Sequence, residues 1–183
     1  MPKHIIGLVG RQGSGKGTVA KILQEKYGAV LFRFSAVLGD ILDRVAVERT
    51  RENLIKISIA LRQQFGEDVL AYAIEKDAAT SDADIVVIDG IRRLEDIVAL
   101  EPLEQFTLVS IEAPAETRHH RISQRSEKPG ESSVSFEDFL KVENTAPTEI
   151  TIPFVEERAS ITINNTGSLE NLEDQISTLM TSL

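Results

Sequence analysis

The chain has no cysteine. That excludes disulfides, thiol catalysis and thiolate-bound metals, while deciding little about compartment. Positive charge is also scarce: 20 Lys and Arg stand against 29 Asp and Glu, for a formal charge of −9. General nucleic-acid binding calls for a basic surface and is therefore disfavoured. An acidic protein that binds a polyanion must concentrate its cations locally. No apolar run reaches the roughly 20 residues of a membrane span. The opening Met1-Pro2-Lys3-His4 leads directly into an apolar run, without the pattern of a signal or transit peptide, so a cytoplasmic protein is expected. Internal repeats and low-complexity tracts are absent. What is present, 183 residues with 42% apolar and 27% charged, suits one globular domain over residues 1–183.

The most informative segment is Gly10-Arg11-Gln12-Gly13-Ser14-Gly15-Lys16-Gly17-Thr18. It follows Ile5-Ile6-Gly7-Leu8-Val9, which reads as a buried strand, and precedes Val19-Ala20-Lys21-Ile22-Leu23, which reads as a helix. A glycine-rich turn in that context points backbone N–H groups inward, and the helix N-terminus adds partial positive charge. Lys16 adds a full charge that reaches terminal phosphates. Together these parts bind a nucleotide triphosphate, with Gly10, Gln12, Gly13, Ser14, Gly15, Lys16, Gly17 and Thr18 in contact with it. The strict P-loop pattern has Ser or Thr directly after the lysine; here Gly17 intervenes and Thr18 follows. This Gly-Lys-Gly-Thr loop resembles that of adenylate kinases and other nucleoside monophosphate kinases.

Apolar strands alternate with helical patterns along the chain, at about residues 4–9, 29–34, 84–89, 106–112 and 159–164. Val- and Ile-rich runs with little alternation fit strands covered on both faces. The expected architecture is α/β: a three-layer P-loop fold, with a five-stranded, mainly parallel sheet and helices on both faces. Residues 35–82 read as an all-helical insertion. Within it Thr50 is the expected N-cap, Gly66 the expected end, and Leu54, Ser58, Leu61 and Phe65 share a helical face. Ser135 and Asp138 form a capping-box pattern, and Ser168 precedes a helix with Leu169, Leu172, Ile176 and Leu179 at helical spacing. A polar stretch around Glu127 to Val134, with Pro129-Gly130, reads as a loop within a lid region spanning residues 114–145.

Asp89 ends the third strand and opens Asp89-Gly90-Ile91-Arg92-Arg93. Strand C-termini line the ligand crevice of a doubly wound sheet, so Asp89 suits the waters around Mg²⁺. The turn resembles the Asp-Gly-Phe-Pro-Arg segment of adenylate kinases, which implies that Arg93 holds the acceptor phosphate. A similar Asp-Gly-Ile-Arg turn in other kinase-like P-loop families points to Arg92 instead. Arg118, Arg121 and Arg125 follow one another at helical spacing and share a face, where guanidiniums stabilise a transferring phosphoryl group. Arg121 and Arg125 match the two arginines flanking the adenylate kinase lid. His119 and His120 are adjacent, point in different directions, and read as surface residues. Asn164-Asn165-Thr166-Gly167-Ser168 resembles the loop closing dephospho-CoA kinases, which implies that Asn165 and Gly167 lie near the adenine. A guanine-reading Asn-Lys-x-Asp motif is absent.

The resemblance to the P-loop nucleoside and nucleotide kinase superfamily implies an ATP-dependent phosphotransferase using Mg²⁺, with Thr18 and, through water, Asp89 at the metal. Lys16, Arg121, Arg125 and Asp89 are the expected catalytic residues. A (deoxy)nucleoside monophosphate is the first expected acceptor, with Arg92, Arg93, Asp40 and Arg62 binding it; dephospho-CoA is the second. For a hydroxyl acceptor, Asp40 is the nominated base. Where adenylate kinases carry an acceptor arginine this chain offers Gly39, which leaves open a regulatory ATPase that is not a kinase. A small-molecule partner, no membrane, and a monomer or homodimer complete the expectation.

Overall fold

The computed structural model describes residues 2–124 and 134–183. Five strands form the sheet: β1 His4–Val9, β2 Val30–Arg33, β3 Ile85–Asp89, β4 Phe106–Glu112 and β5 Ile161–Asn164. Their order is β2-β3-β1-β4-β5, and every neighbouring pair is parallel. The mainly parallel expectation thus becomes wholly parallel. β1 lies at the centre, where Ile6 pairs with Val87 on one side and Thr107 on the other. β2 and β5 are shorter than their apolar runs. Residues such as Ala29 and Ala159 pack beside the sheet without entering its ladder.

Side chains alternate across β1. Ile5 and Val9 face one layer while Ile6 and Leu8 face the other, and all four are buried. Helix α1 (Lys16–Tyr27) and α8 (Leu169–Ser182) cover the Ile6–Leu8 face through Val19, Ile22, Leu23, Leu172, Ile176 and Leu179. Leu169, expected on that stripe, is solvent-exposed at the first turn of α8. The opposite face carries α2 (Phe34–Arg44), α4 (Val69–Ala79) and α7 (Ile152–Glu156), through Phe34, Leu38, Leu70, Ile74, Ile152 and Val155.

Between β2 and β3 lie α2, α3 (Arg51–Phe65) and α4. Thr50 caps α3, its Oγ1 accepting from Asn53 N at 3.1 Å, and Gly66 ends it. Leu54, Ile57 and Leu61 form its inner stripe, whereas Phe65, the last residue of α3, is 70% exposed because the helix extends past the core at that end. After β4 come α5 (Ala115–Ser123) and α6 (Phe136–Thr145), with Ser135 capping α6 by accepting from Asp138 N. Arg125 and most of the Glu127–Val134 loop lie outside the described residues. Among the described residues, no helix is long and apolar enough to cross a membrane.

Ile176 is fully buried between α8 and the sheet. Ile176→Ala is expected to lower unfolding free energy by about 2–5 kcal/mol, read from urea denaturation.

Candidate active site

β1 ends at Val9 and α1 begins at Lys16, so the glycine-rich segment is a strand-to-helix turn at the carboxyl edge of the sheet. Gly13 and Gly15 take positive φ, +80° and +106°, which lets successive amides face one concavity. Neighbouring elements press against the outside of this turn. A Cβ on Gly13 would lie 2.7 Å from the Arg118 carbonyl, and one on Gly15 would strike Asn165 Nδ2. The first turn of α1 holds no acidic residue to cancel its positive end.

Lys16 folds back across this turn. Its Nζ donates to the carbonyls of Gly10 at 2.5 Å and Arg11 at 3.2 Å. Burial lowers its pKa from 10.5 to about 8; Asp89 opposes this, Arg92 adds to it, and Glu149 and Glu156 oppose it. Burial likewise raises the pKa of Glu156, against the pull of Arg11.

On the β4–β5 side, Arg121 Nη2 donates to the Asn165 carbonyl at 2.8 Å, and its Nη1 to the Ser14 carbonyl at 3.3 Å. Asn165 Nδ2 in turn donates to Ser14 O at 2.8 Å. Arg121, Asn165, Gly15, Thr18 and Gly167 line one crevice of about 180 Å³. A larger cavity of about 380 Å³ lies beside it, along Arg11, Ser14, Glu112, Pro114, Arg118 and Glu156. Arg118 does not share the open face expected for it. It is buried, its two terminal nitrogens donate to Glu143, and Nη1 also reaches the Gln12 carbonyl at 3.2 Å. Its guanidinium lies 5.4 Å from the centroid of Phe139. Glu143, itself 4% exposed, also accepts from Arg11 at 3.4 Å and so ties α6 to the phosphate-binding turn.

On the β2–β3 side, Asp89 accepts from Gly90 N at 2.8 Å and lies 3.6 Å from Arg33 Nε. Asp96 organises the segment that follows: Oδ2 accepts from the amides of Arg92 and Arg93, while Oδ1 accepts from Arg62 at 2.7 Å. Both members of the Arg62–Asp96 pair are buried. Arg92 pairs with Glu149 at 2.5 Å and Arg93 with Glu67 at 3.0 Å. Asp40 is exposed and accepts from Arg49 at 2.8 Å. A Cβ on Gly39 would lie 2.7 Å from Arg49 Nη1, so the missing arginine side chain at that position leaves room for one from farther along the chain.

The fold thus gathers Gly10, Gln12, Gly13, Ser14, Gly15, Lys16, Arg121 and Asn165 at one turn, with Thr18 and Gly167 on the adjoining crevice. Asp89 and Arg92 act on Lys16 from the neighbouring strand end. Arg62, Arg93 and Asp40 are engaged in ion pairs of their own. Sequence reading passed over Asp96, Glu143, Glu149 and Glu156. Glu143 had a signal, since it follows Phe136, Phe139 and Leu140 on the apolar face of its helix and so requires a partner. Glu149 lies in a turn and Asp96 in a single 3-10 turn, Leu94–Asp96, neither long enough for periodicity to mark it.

The family described as AAA domain matches residues 9–138. The UPF0200 protein of Hyperthermus butylicus is 30% identical over 74% of this chain and 71% of that one. The UPF0200 protein of Thermococcus kodakarensis is 31% identical over 96% of each. Among solved structures, shikimate kinase from Bacteroides thetaiotaomicron superposes with a TM-score of 0.62 at 14% identity, over 98% of this chain and 99% of that one. The fold is therefore that of a kinase-like P-loop protein.

Lys16 is cationic below pH 8 and loses its proton above it, earlier than the free side chain would. Triphosphate affinity is therefore expected to fall about tenfold between pH 7 and pH 9, by calorimetric titration, and to lose that dependence in Lys16→Ala. The cost of burying the lysine's charge is present in full below pH 8 and is relieved between there and 10.5, so this group makes the unliganded protein more stable as pH rises through that window. Glu143→Ala leaves Arg118 buried without its carboxylate, and a loss of about 3–5 kcal/mol is expected in urea denaturation.

Proposed function

We propose that this chain, which belongs to the UPF0200 family and to the AAA-domain family matched over residues 9–138, is an ATP-dependent phosphotransferase acting on a small acceptor. The observation that carries this reading is the convergence of Lys16 and Arg121 on the turn of residues 10–15, beside a crevice lined by Thr18, Asn165 and Gly167. The turn's amides and Lys16 would hold the β- and γ-phosphates, and Arg121 would lie along the nucleotide. Arg125, outside the described residues, would add a second guanidinium from the lid region, residues 114–145. Residues 35–82 would form the acceptor-binding part of a single domain.

Mg²⁺ suits the donors present. The Asp89 carboxylate is a hard oxygen ligand, and no group of three His, Asp or Glu residues able to cage a metal occurs among the described residues. That fits an ion held mostly by water and phosphate. When bound it neutralises phosphate charge; Asp89 would orient its waters from the β2–β3 side, while Thr18, in the crevice with Arg121 and Asn165, would meet phosphate rather than the ion. The family resemblance implies a nucleoside monophosphate as first acceptor and dephospho-CoA as second, with Arg92, Arg93, Asp40 and Arg62 on the binding side. Shikimate kinase, a structural neighbour, is named for a small-molecule acceptor. The regulatory-ATPase reading is favoured by one observation: the guanidinium over Gly39 belongs to Arg49 and is already bound to Asp40 and Asp43.

ADP release measured over a panel of nucleoside monophosphates and dephospho-CoA separates the two. Stimulation by an acceptor is expected, whereas ATP turnover indifferent to every acceptor would favour the ATPase. Lys16→Ala is expected to lower turnover at least 100-fold. Undiminished turnover would remove the phosphate-binding turn from the chemistry.

A further inference from the structure

We propose that the reacting group of the acceptor is a hydroxyl rather than a phosphate, and that Glu149 receives its proton. This rests on the phosphotransferase reading and names the substrate class for it.

The charge pattern at the ends of β2 and β3 comes first. Arg33 lies against Asp89 at 3.6 Å, Arg92 against Glu149 at 2.5 Å, Arg93 against Glu67 at 3.0 Å and Arg62 against Asp96 at 2.7 Å. Each of these four guanidiniums already faces a carboxylate. An acceptor phosphate brings one to two further negative charges, which repel the carboxylate already at whichever of these four holds it unless that carboxylate gives way. At Arg92 the displaced group would be Glu149, whose side chain is 8% exposed and would stay buried without a counter-charge. A hydroxyl imposes no such exchange.

Hydrogen-bonding sense points the same way. Glu149 Oε1 accepts from Arg92, while Oε2 is buried and has no hydrogen-bond partner among the described residues. A carboxylate oxygen shielded from water requires a donor. Phosphate oxygens accept, whereas a hydroxyl donates.

The carboxylate is also held in place. Arg92 Nη1 reaches the Thr148 carbonyl at 3.3 Å, Thr151 Oγ1 donates to the Arg92 carbonyl at 2.7 Å, and Ile152 anchors the next turn in the core. The segment is thus clasped to the loop after Asp89, near enough for Glu149 to act on Lys16. Asp40, the base nominated from sequence, is 75% exposed and bound to Arg49.

In the transfer, the acceptor O–H proton passes to Glu149 Oε2 as the oxygen forms its bond to the γ-phosphorus. The bond from that phosphorus to the β–γ bridging oxygen breaks, and its electron pair leaves on ADP, beside Lys16. The proton stays on Glu149 Oε2 until product release lets water take it up.

The test incubates the wild-type protein with ATP and Mg²⁺ and either AMP, CMP, GMP and UMP, or adenosine, thymidine, glucose and dephospho-CoA. Products are identified by ³¹P NMR. A phosphate ester formed from the second set is expected. Glu149→Gln is expected to keep ATP affinity and acceptor KM within about twofold while kcat for ester formation falls 100-fold or more. A diphosphate product from the monophosphate set, with no ester, overturns the hydroxyl assignment and leaves the phosphotransferase reading standing. Ester formation at wild-type kcat in Glu149→Gln overturns the role of Glu149. ADP release at the acceptor-free rate with both sets overturns this proposal together with the reading beneath it. Product identity in the wild-type protein decides the acceptor class even where the variant fails to fold.

Discussion

The arrangement of the site depends on how closely three later segments approach the turn between β1 and α1. The carbonyl of Ile111 at the end of β4 would lie 2.5 Å from a Cβ on Gly10, the carbonyl of Arg118 on α5 reaches Gly13, and Asn165 after β5 fills the space over Gly15. Glycine at these positions serves the backbone shape and the packing at once. Because β1 is central in a parallel sheet, its carboxyl end is where the crossovers of both halves converge, and the turn is held from outside while its amides face inward.

The second organising feature is charge pairing within an acidic chain. Asp96, Glu143 and Glu149 are each buried, and each meets an arginine from a distant part of the sequence. Leaving any such charge alone in the interior is costly, so these pairs specify which segments meet. Asp96 joins α3 to the turn after β3, Glu143 joins α6 to the glycine-rich turn, and Glu149 joins the segment before α7 to Arg92. The arginines that look available in sequence are therefore mostly committed, while Arg121 reaches the carbonyls of Ser14 and Asn165.

Much of the fold was legible because its signals are local. The five apolar runs, the caps at Thr50, Ser135 and Ser168, and the strand–turn–helix context of residues 4–23 all rest on neighbours in the chain. Errors arose where a helix outran the surface it packs on: Phe65 and Leu169 hold the right periodicity, yet the core ends before it reaches either one. Arg118 was misjudged for another reason. Its helical face matches Arg121, but a glutamate 25 positions later takes up its charge.

The sequence by itself determined the α/β alternation, the glycine-rich turn with Lys16, and the carboxylate at the end of β3, because each follows from residue spacing over a few positions. The tertiary structure alone decided which arginines are paired, which carboxylate is buried with an oxygen lacking a donor, and that Arg49 occupies the space over Gly39. Those outcomes depend on which distant charges share a low-dielectric interior, and linear spacing carries no record of that.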